Sequence, residues 1–397
     1  MTMKVKKLLW LLSAAFCFGS LTSPAHAADV TVGCPGGAVG TYASITAALA
    51  ALPANGPNSI TVTGVCNENV SIFDARSLTI VAGAGGAKIV GPQDSDTFDI
   101  FRSQFIRLVN LEIAGVPGSM PSSAGSGVFI TQASNVQING CDIHDNQGGG
   151  VVATKGSLLF LRNNTNIHNN HPLDGLDVFG GSIADVLGTT IQNNGSPGFS
   201  NIGNPASPPP GGVGVFVGAS LALFRENNLI QNNADVGIVA RDGSTVTLAA
   251  ASGPGTTIQG HNLDGIVVQL GSHLQVNGPA LVQGNGVACP SETSIACGGI
   301  FGAGDATVEL AGAGTVSGNH GAGIFVEQGT NLHSNGATIS NNSGDGVHLR
   351  WISIADFRDF GGGPNIITGN GGESVFCDAR SLAIGNLTGF SKVSCGQ

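Results

Sequence analysis

Nine times between Ile143 and Asn370 the chain sets down an aliphatic residue, then as a rule two polar or glycine positions, then Asn or a stand-in for it. The series opens with Ile143-His144-Asp145-Asn146, Ile167-His168-Asn169-Asn170, Ile191-Gln192-Asn193-Asn194 and Ile230-Gln231-Asn232-Asn233, and closes with Ile367-Thr368-Gly369-Asn370. The anchors fall at 143, 167, 191, 230, 258, 282, 316, 339 and 367, so successive intervals are 24, 24, 39, 28, 24, 34, 23 and 28 residues. A period of that size belongs to one supersecondary unit stacked on copies of itself, because a single unit cannot bury its own apolar face.

Between anchors the text alternates with period two, as from Gly214-Val215-Phe216-Val217 to Leu221-Ala222-Leu223-Phe224, and this reads as short strands, three to a repeat. Gly-Ala-Ser, Asn-Asn and the Gly before the next strand supply the corners, since Gly and Asn accept left-handed backbone angles. With each coil lying ~4.8 Å above the last, the predicted fold is all-β: a single-stranded right-handed parallel β-helix with a core of stacked Ile, Val and Leu. Asn residues at equivalent corners would then form a side-chain amide ladder along the axis. The 63 glycines recur at fixed places in the repeat, and hydrophobic residues make up 41% of the chain, which argues against disorder.

The first residues read as a secretory leader: Lys4, Lys6 and Lys7, an apolar stretch from Leu8 to Phe18, and the small-residue pattern Ala25-His26-Ala27. That assigns 1–27 to a cleaved signal peptide and 28–397 to one domain, secreted or periplasmic, with no second apolar span. Within it we expect an N-terminal cap over about 28–59, coils over about 60–376 and a C-terminal cap over about 377–397. In the cap, Thr41 is positioned to start a helix whose face carries Tyr42, Ile45, Leu49 and Leu52 before Pro53 stops it. Seven cysteines remain after the leader. Cys34 with Cys66 would tie the cap to the first coil, Cys377 with Cys395 would close the far end, and Cys289 with Cys297 bracket a short insertion, Pro290 to Ala296. Cys141 is left over and buried. A second insertion, Ser196 to Gly212, accounts for the 39-residue interval.

Without the leader the chain carries 12 basic residues against 25 acidic ones, a balance of −13. This disfavours nucleic acid and anionic membrane as partners, and a polyanionic glycan unless calcium bridges the charges. No cofactor is called for by any motif. Calcium has candidate ligands in the acids Asp174, Asp235, Asp264 and Asp345 at the strand openings, where turn amides compete for the same oxygens.

The cap helix, the strands Ile60-Thr61-Val62 and Val70-Ser71-Ile72, and the glycine-punctuated coils resemble the pectin-lyase-like superfamily, and the middle is similar to its repeat-only parallel β-helix (NosD-type) members. The resemblance covers nearly the whole mature chain and implies a fold shared by lyases, hydrolases, esterases, epimerases and adhesins. The superfamily's catalytic signatures are missing. There is no Asn-Thr-Asp with a paired Asp-Asp, no Arg-x-Pro-x-x-Arg and no Asp-Pro-His-Glu; Asp345-Gly346-Val347-His348 is the nearest approach to the last.

Counting from the Gly that opens each first strand, the outward second position runs Phe129, Val152, Asp177, Phe216, Val239, Val267, Phe301, Phe325 and His348. We expect these to form an exposed apolar stripe that a ligand or partner covers. The outward fourth position is polar in the later coils: Arg241, Gln269, Glu327 and Arg350. Ligand contacts are therefore expected from Asp177, Arg241, Gln269, Phe216 and Phe325, and any chemistry from Glu327 and His348 as proton-transfer groups with Arg350 stabilising charge. His144 and His168 occupy equal positions one coil apart, a weak candidate for a metal pair that would need their ring nitrogens to face one another. The function expected is binding or presenting a surface to extracellular or cell-envelope polysaccharide or protein; the alternative is a polysaccharide lyase or glycoside hydrolase acting on the first-strand face.

Overall fold

The computed structural model describes residues 27–116, 125–196, 212–251, 253–289, 297–359 and 361–395. The leader and most of the two insertions lie outside these residues. All paired strands are parallel, and they form two long sheets, one of 13 strands and one of 24. The 13-stranded sheet holds the first strand of each coil; the larger one holds the second and third.

Register explains why the repeat is so regular. Ile143 pairs with Ile167, which pairs with Ile191, and the column continues through Ile230, Ile258, Val282, Val316 and Ile339 to Ile367. All nine anchors point inward and are buried. Each such side chain contributes ~1.5–3 kcal/mol by leaving water, and a one-residue slip would turn the whole column outward.

The two Asn of the repeat do different work. The first takes a left-handed backbone, with φ of 54° at Asn169, 53° at Asn193 and 52° at Asn232, and so turns the corner. The second points inward and builds the ladder: Nδ2 of Asn146 donates to Oδ1 of Asn170 at 2.8 Å, and Asn170 donates to Asn194 at 2.9 Å. From Asn170 onward the ladder oxygens also accept a backbone amide from the coil before, as from Asn146 N to Asn170 Oδ1 at 3.1 Å, while Asn146 Oδ1 at the ladder's start has no partner. These bonds satisfy groups that a tight buried corner would otherwise leave unpaired. The Gly that opens the next strand makes room for them, since a methyl group at Gly175 would lie 2.7 Å from Asn194 Nδ2.

At the N-terminus the strand Ala28–Gly33 already pairs with Asn58–Thr63, so the sheet reaches into the cap. The helix spans Ile45–Ala51 and its N-cap is Ser44, whose hydroxyl accepts from Ala47 N. Thr41 was expected in that role. Instead its amide donates to Thr31 Oγ1, and Tyr42 bridges to Val32, so residues 41–42 continue the sheet edge and the helix starts later. The carboxylate of Glu68 accepts from Ile45 N and Thr46 N, placing negative charge at the helix start. Disulfides join Cys34 to Cys66, Cys289 to Cys297 and Cys377 to Cys395, and Cys141 is free and buried. No helix among the described residues is long and apolar enough to cross a membrane.

Candidate functional site

The outer face of the 13-stranded sheet carries the two columns expected to meet a ligand. Registers place Val152, Asp177, Phe216, Val239, Val267, Phe301, Phe325 and His348 in one line, coil by coil. The expected exposed stripe does not form, however: Val152, Phe216, Val239, Val267, Phe301 and Phe325 are all buried, and Phe129, Asp177 and His348 are only partly open. Corner residues account for part of this. Val213, Val236, Leu263 and Ala322 pack against these outward side chains, making a second apolar cluster outside the main core. Arg241 is buried as well, and only Asp177 and Gln269 of the expected ligand contacts are partly open.

Burial changes the acids on this face. It pushes the Asp177 carboxyl up to about 6 and raises Asp174 well above the carboxylate range, where the neighbouring Asp177 charge adds to the effect of burial. Asp264, fully buried with Oδ2 unpartnered, is pushed up to about 8. Asp174, Asp264 and Asp345 spend one oxygen each on a backbone amide of the next coil, those of Val213, Gly298 and Glu373. Asp96, not singled out from sequence, does the same for Ser126. These acids hold corners together from separate coils.

Toward the last coils the polar residues converge. The ring of His348 lies between Phe325 and Phe376, with centroids 4.7 and 4.6 Å away. Its Nδ1 is 2.8 Å from Asp345 Oδ2, so Nδ1 donates to that carboxylate and the ring is held in place. The Arg350 guanidinium sits 4.1 Å over the Trp351 ring and 5.9 Å from the Phe325 centroid. Glu327 is only 6% exposed and its Oε2 has no partner; burial pushes its carboxyl up, while the neighbouring charges of Arg350 and His348 pull it back. Glu327, His348 and Arg350 thus form one cluster on adjacent coils, whereas Arg241 and Asp177 lie several coils away.

His144 and His168 stack with centroids 5.1 Å apart. Their nitrogens face acids and not each other: His144 Nδ1 meets Asp145 at 2.8 Å and Nε2 meets Glu112 at 3.1 Å, while His168 Nε2 meets Asp142 at 2.9 Å. Lys88 and then His144 hold the Glu112 carboxyl below its ordinary value, and His168 does so for Asp142. The geometry that a metal-handling role requires does not form. Among the described residues one trio of potential ligands lies close together, Cys34, Cys66 and Glu68, and its two sulfurs are spent on a disulfide.

A family model described as "Right handed beta helix region" matches residues 63–252 and, overlapping, 126–309. The chain belongs to this right-handed β-helix family. No curated protein sequence matches it. Among solved structures this β-helix is similar to a pectate lyase, at 14% identity and a TM-score of 0.42, covering 94% of this chain and 80% of that one. The Dettilon tailspike protein aligns at 12% identity and 0.48, covering 85% and 61%. The catalytic unit of a thermostable α-1,3-glucanase from Streptomyces thermodiastaticus aligns at 15% and 0.48, covering 88% and 66%.

Sequence reasoning missed two members of the cluster in this β-helix. Phe376 closes the stack on His348, and Asp378 fixes the backbone of Trp351 by accepting its amide at 2.9 Å. Extending the outward columns one coil past Arg350 would have found both.

Proposed function

We propose that this β-helix is an exported glycan-binding protein that holds a polysaccharide against the outer face of the 13-stranded sheet at its last coils. One observation carries the reading: the His348 ring stacks between Phe325 and Phe376, and Arg350, on the coil next to Glu327, packs over the half-exposed Trp351. Rings offer the flat apolar surface that a pyranose face packs on, and the flanking carboxyl, imidazole and guanidinium offer directional bonds to hydroxyls. Export is supported by the leader pattern and by three disulfides, which persist in oxidising compartments.

A second reading, a polysaccharide hydrolase or lyase, is favoured by a specific feature of the same cluster. Glu327 carries a raised carboxyl with a free oxygen, and Asp345 orients His348, so one group is suited to donate a proton and the other to accept one. A glycan array run beside reducing-sugar and unsaturated-product assays separates the two. Binding without product, weakened about tenfold or more by His348→Ala or Trp351→Ala, supports the first. Product formation that Glu327→Gln and His348→Ala both abolish establishes the second, and neither binding nor product on any glycan removes both.

A further inference from the structure

A different face of the coil holds an unassigned groove of about 530 Å³ along the third strands and the corner that follows them. Its wall is a column of amides. Nε2 of Gln283 donates to Oε1 of Gln259 at 2.8 Å, Gln259 to Gln231 at 3.0 Å, Gln231 to Gln192 at 2.8 Å and Gln192 to Asn166 at 3.3 Å. Asn166 passes its own bond to the carboxylate of Asp142. Gln192, Gln231 and Gln259 each spend one N–H and one acceptor site on the ladder, leaving one of each for a ligand, and Gln283 at its end spends an N–H only.

The groove has a length. Every coil takes a left-handed corner here, but in three successive coils that corner is Gly260, Gly284 or Gly318, while Asn232 and Asn341 occupy it at the two ends. A side chain on the Gly284 or Gly318 corner would meet nothing within 4 Å, so these two positions are open space above the floor. From Asn232 to Asn341 is four coil rises, about 19 Å at ~4.8 Å each.

We infer that this groove binds a neutral, extended polysaccharide lying along the helix axis, a site separate from the aromatic cluster and independent of the function proposed for it. The lining carries no charge and no aromatic ring. A charged ligand would lose hydration without gaining a counter-charge. A hydroxyl both donates and accepts, which matches an array offering one donor and one acceptor per coil. The ladder fixes the glutamine side chains beforehand, so little side-chain freedom is lost on binding. A peptide strand has no sheet edge to pair with along this face, because the backbone here is bonded to the coils above and below.

The probes are cellohexaose, laminarihexaose and xylohexaose, with hexagalacturonate as the charged counterpart, titrated by calorimetry into the full exported chain. The blocking variants are Gly284→Asn and Gly318→Asn. Asparagine already takes this corner at Asn193, Asn232 and Asn341, with φ of 53°, 52° and 56° against 59° and 63° at the two glycines, so the fold accommodates it. We expect at least one neutral hexaose to bind and each variant to weaken it at least tenfold without lowering the melting temperature. The inference is overturned if no neutral hexaose binds at millimolar concentration, if hexagalacturonate alone binds, or if both blocking variants bind like the parent.

Discussion

His261 stands in the asparagine ladder where eight other coils place Asn, and replacing it with Asn tests how the ladder works. The imidazole imitates the amide's bonds to the backbone: Nδ1 accepts from Asn233 N at 3.1 Å, and Nε2–H donates to Ile230 O at 3.2 Å. Even the spacing agrees, since a methyl group at Gly237 would lie 2.7 Å from Nε2, as one at Gly265 would from Asn285 Nδ2. The imitation holds for neutral imidazole only. A protonated ring has no acceptor for Asn233 N, and burial holds the ring's pKa down at about 4. At pH above ~6.5 the group is neutral in both folded and unfolded chains, and its contribution is fully present. As pH falls the unfolded chain binds the proton first, so stability is lost between ~6.5 and about 4, reaching about 3 kcal/mol at ~1.36 kcal/mol per pH unit. Urea unfolding followed by far-UV circular dichroism, with disulfides intact, gives the comparison from pH 8 to 4. His261→Asn should match the parent within about 1 kcal/mol at pH 8 and exceed it by about 3 kcal/mol at pH 4, the difference set by that linkage. Parallel pH profiles for the two proteins would refute the reasoning.

Asp264 responds in the opposite sense: its carboxyl is raised to about 8, so its contribution is present at acid pH and lost as pH rises through 8. Asp264→Asn should therefore shift the urea midpoint upward at pH 9 and little at pH 4, with roughly 6 kcal/mol as the ceiling on the gain, the interval from 3.8 to about 8 at ~1.36 kcal/mol per pH unit. Gly214→Ala drives a methyl group to within 2.5 Å of Asn233 Nδ2, and calorimetric melting should show a loss of about 1–3 kcal/mol from overpacking.

The interval between anchors was enough to derive coils, register and core, because one aliphatic column fixes the pairing of every third strand. The three cysteine pairs were equally legible, since Cys34 and Cys66 flank the cap, Cys377 and Cys395 the far end, and Cys289 and Cys297 an insertion. Alternation tells inward from outward but not outward from exposed. Val213 and Val236 sit at corners where the period-two pattern breaks, so nothing in the pattern announced that they fold over Phe216 and Val239. Ser44 displaced Thr41 because strand pairing at Tyr42 outcompeted an earlier helix start, a tertiary effect that capping preferences do not contain. The cluster of Glu327, His348 and Arg350 was legible as neighbouring outward positions on adjacent coils. What Glu327 lacks, a partner for Oε2, required coordinates. The groove escaped notice because its decisive residues are glycines, which read as punctuation until one sees that Asn stands in their place at both ends.

The two amide ladders point in opposite directions. In the inner column Asn146 donates to Asn170 and onward toward the C-terminal coils, while in the outer one Gln283 donates to Gln259 and back toward the N-terminal coils. Aligned amides add their dipoles, so either string alone would polarise the long axis much as a helix is polarised. Running antiparallel, they offset one another over the coils from Asn166 to Gln283, where both are present, and the backbone strands, lying across the axis, add little. Turns that carry both ladders can therefore be added without accumulating a field along the rod, and turns that carry the inner one alone cannot.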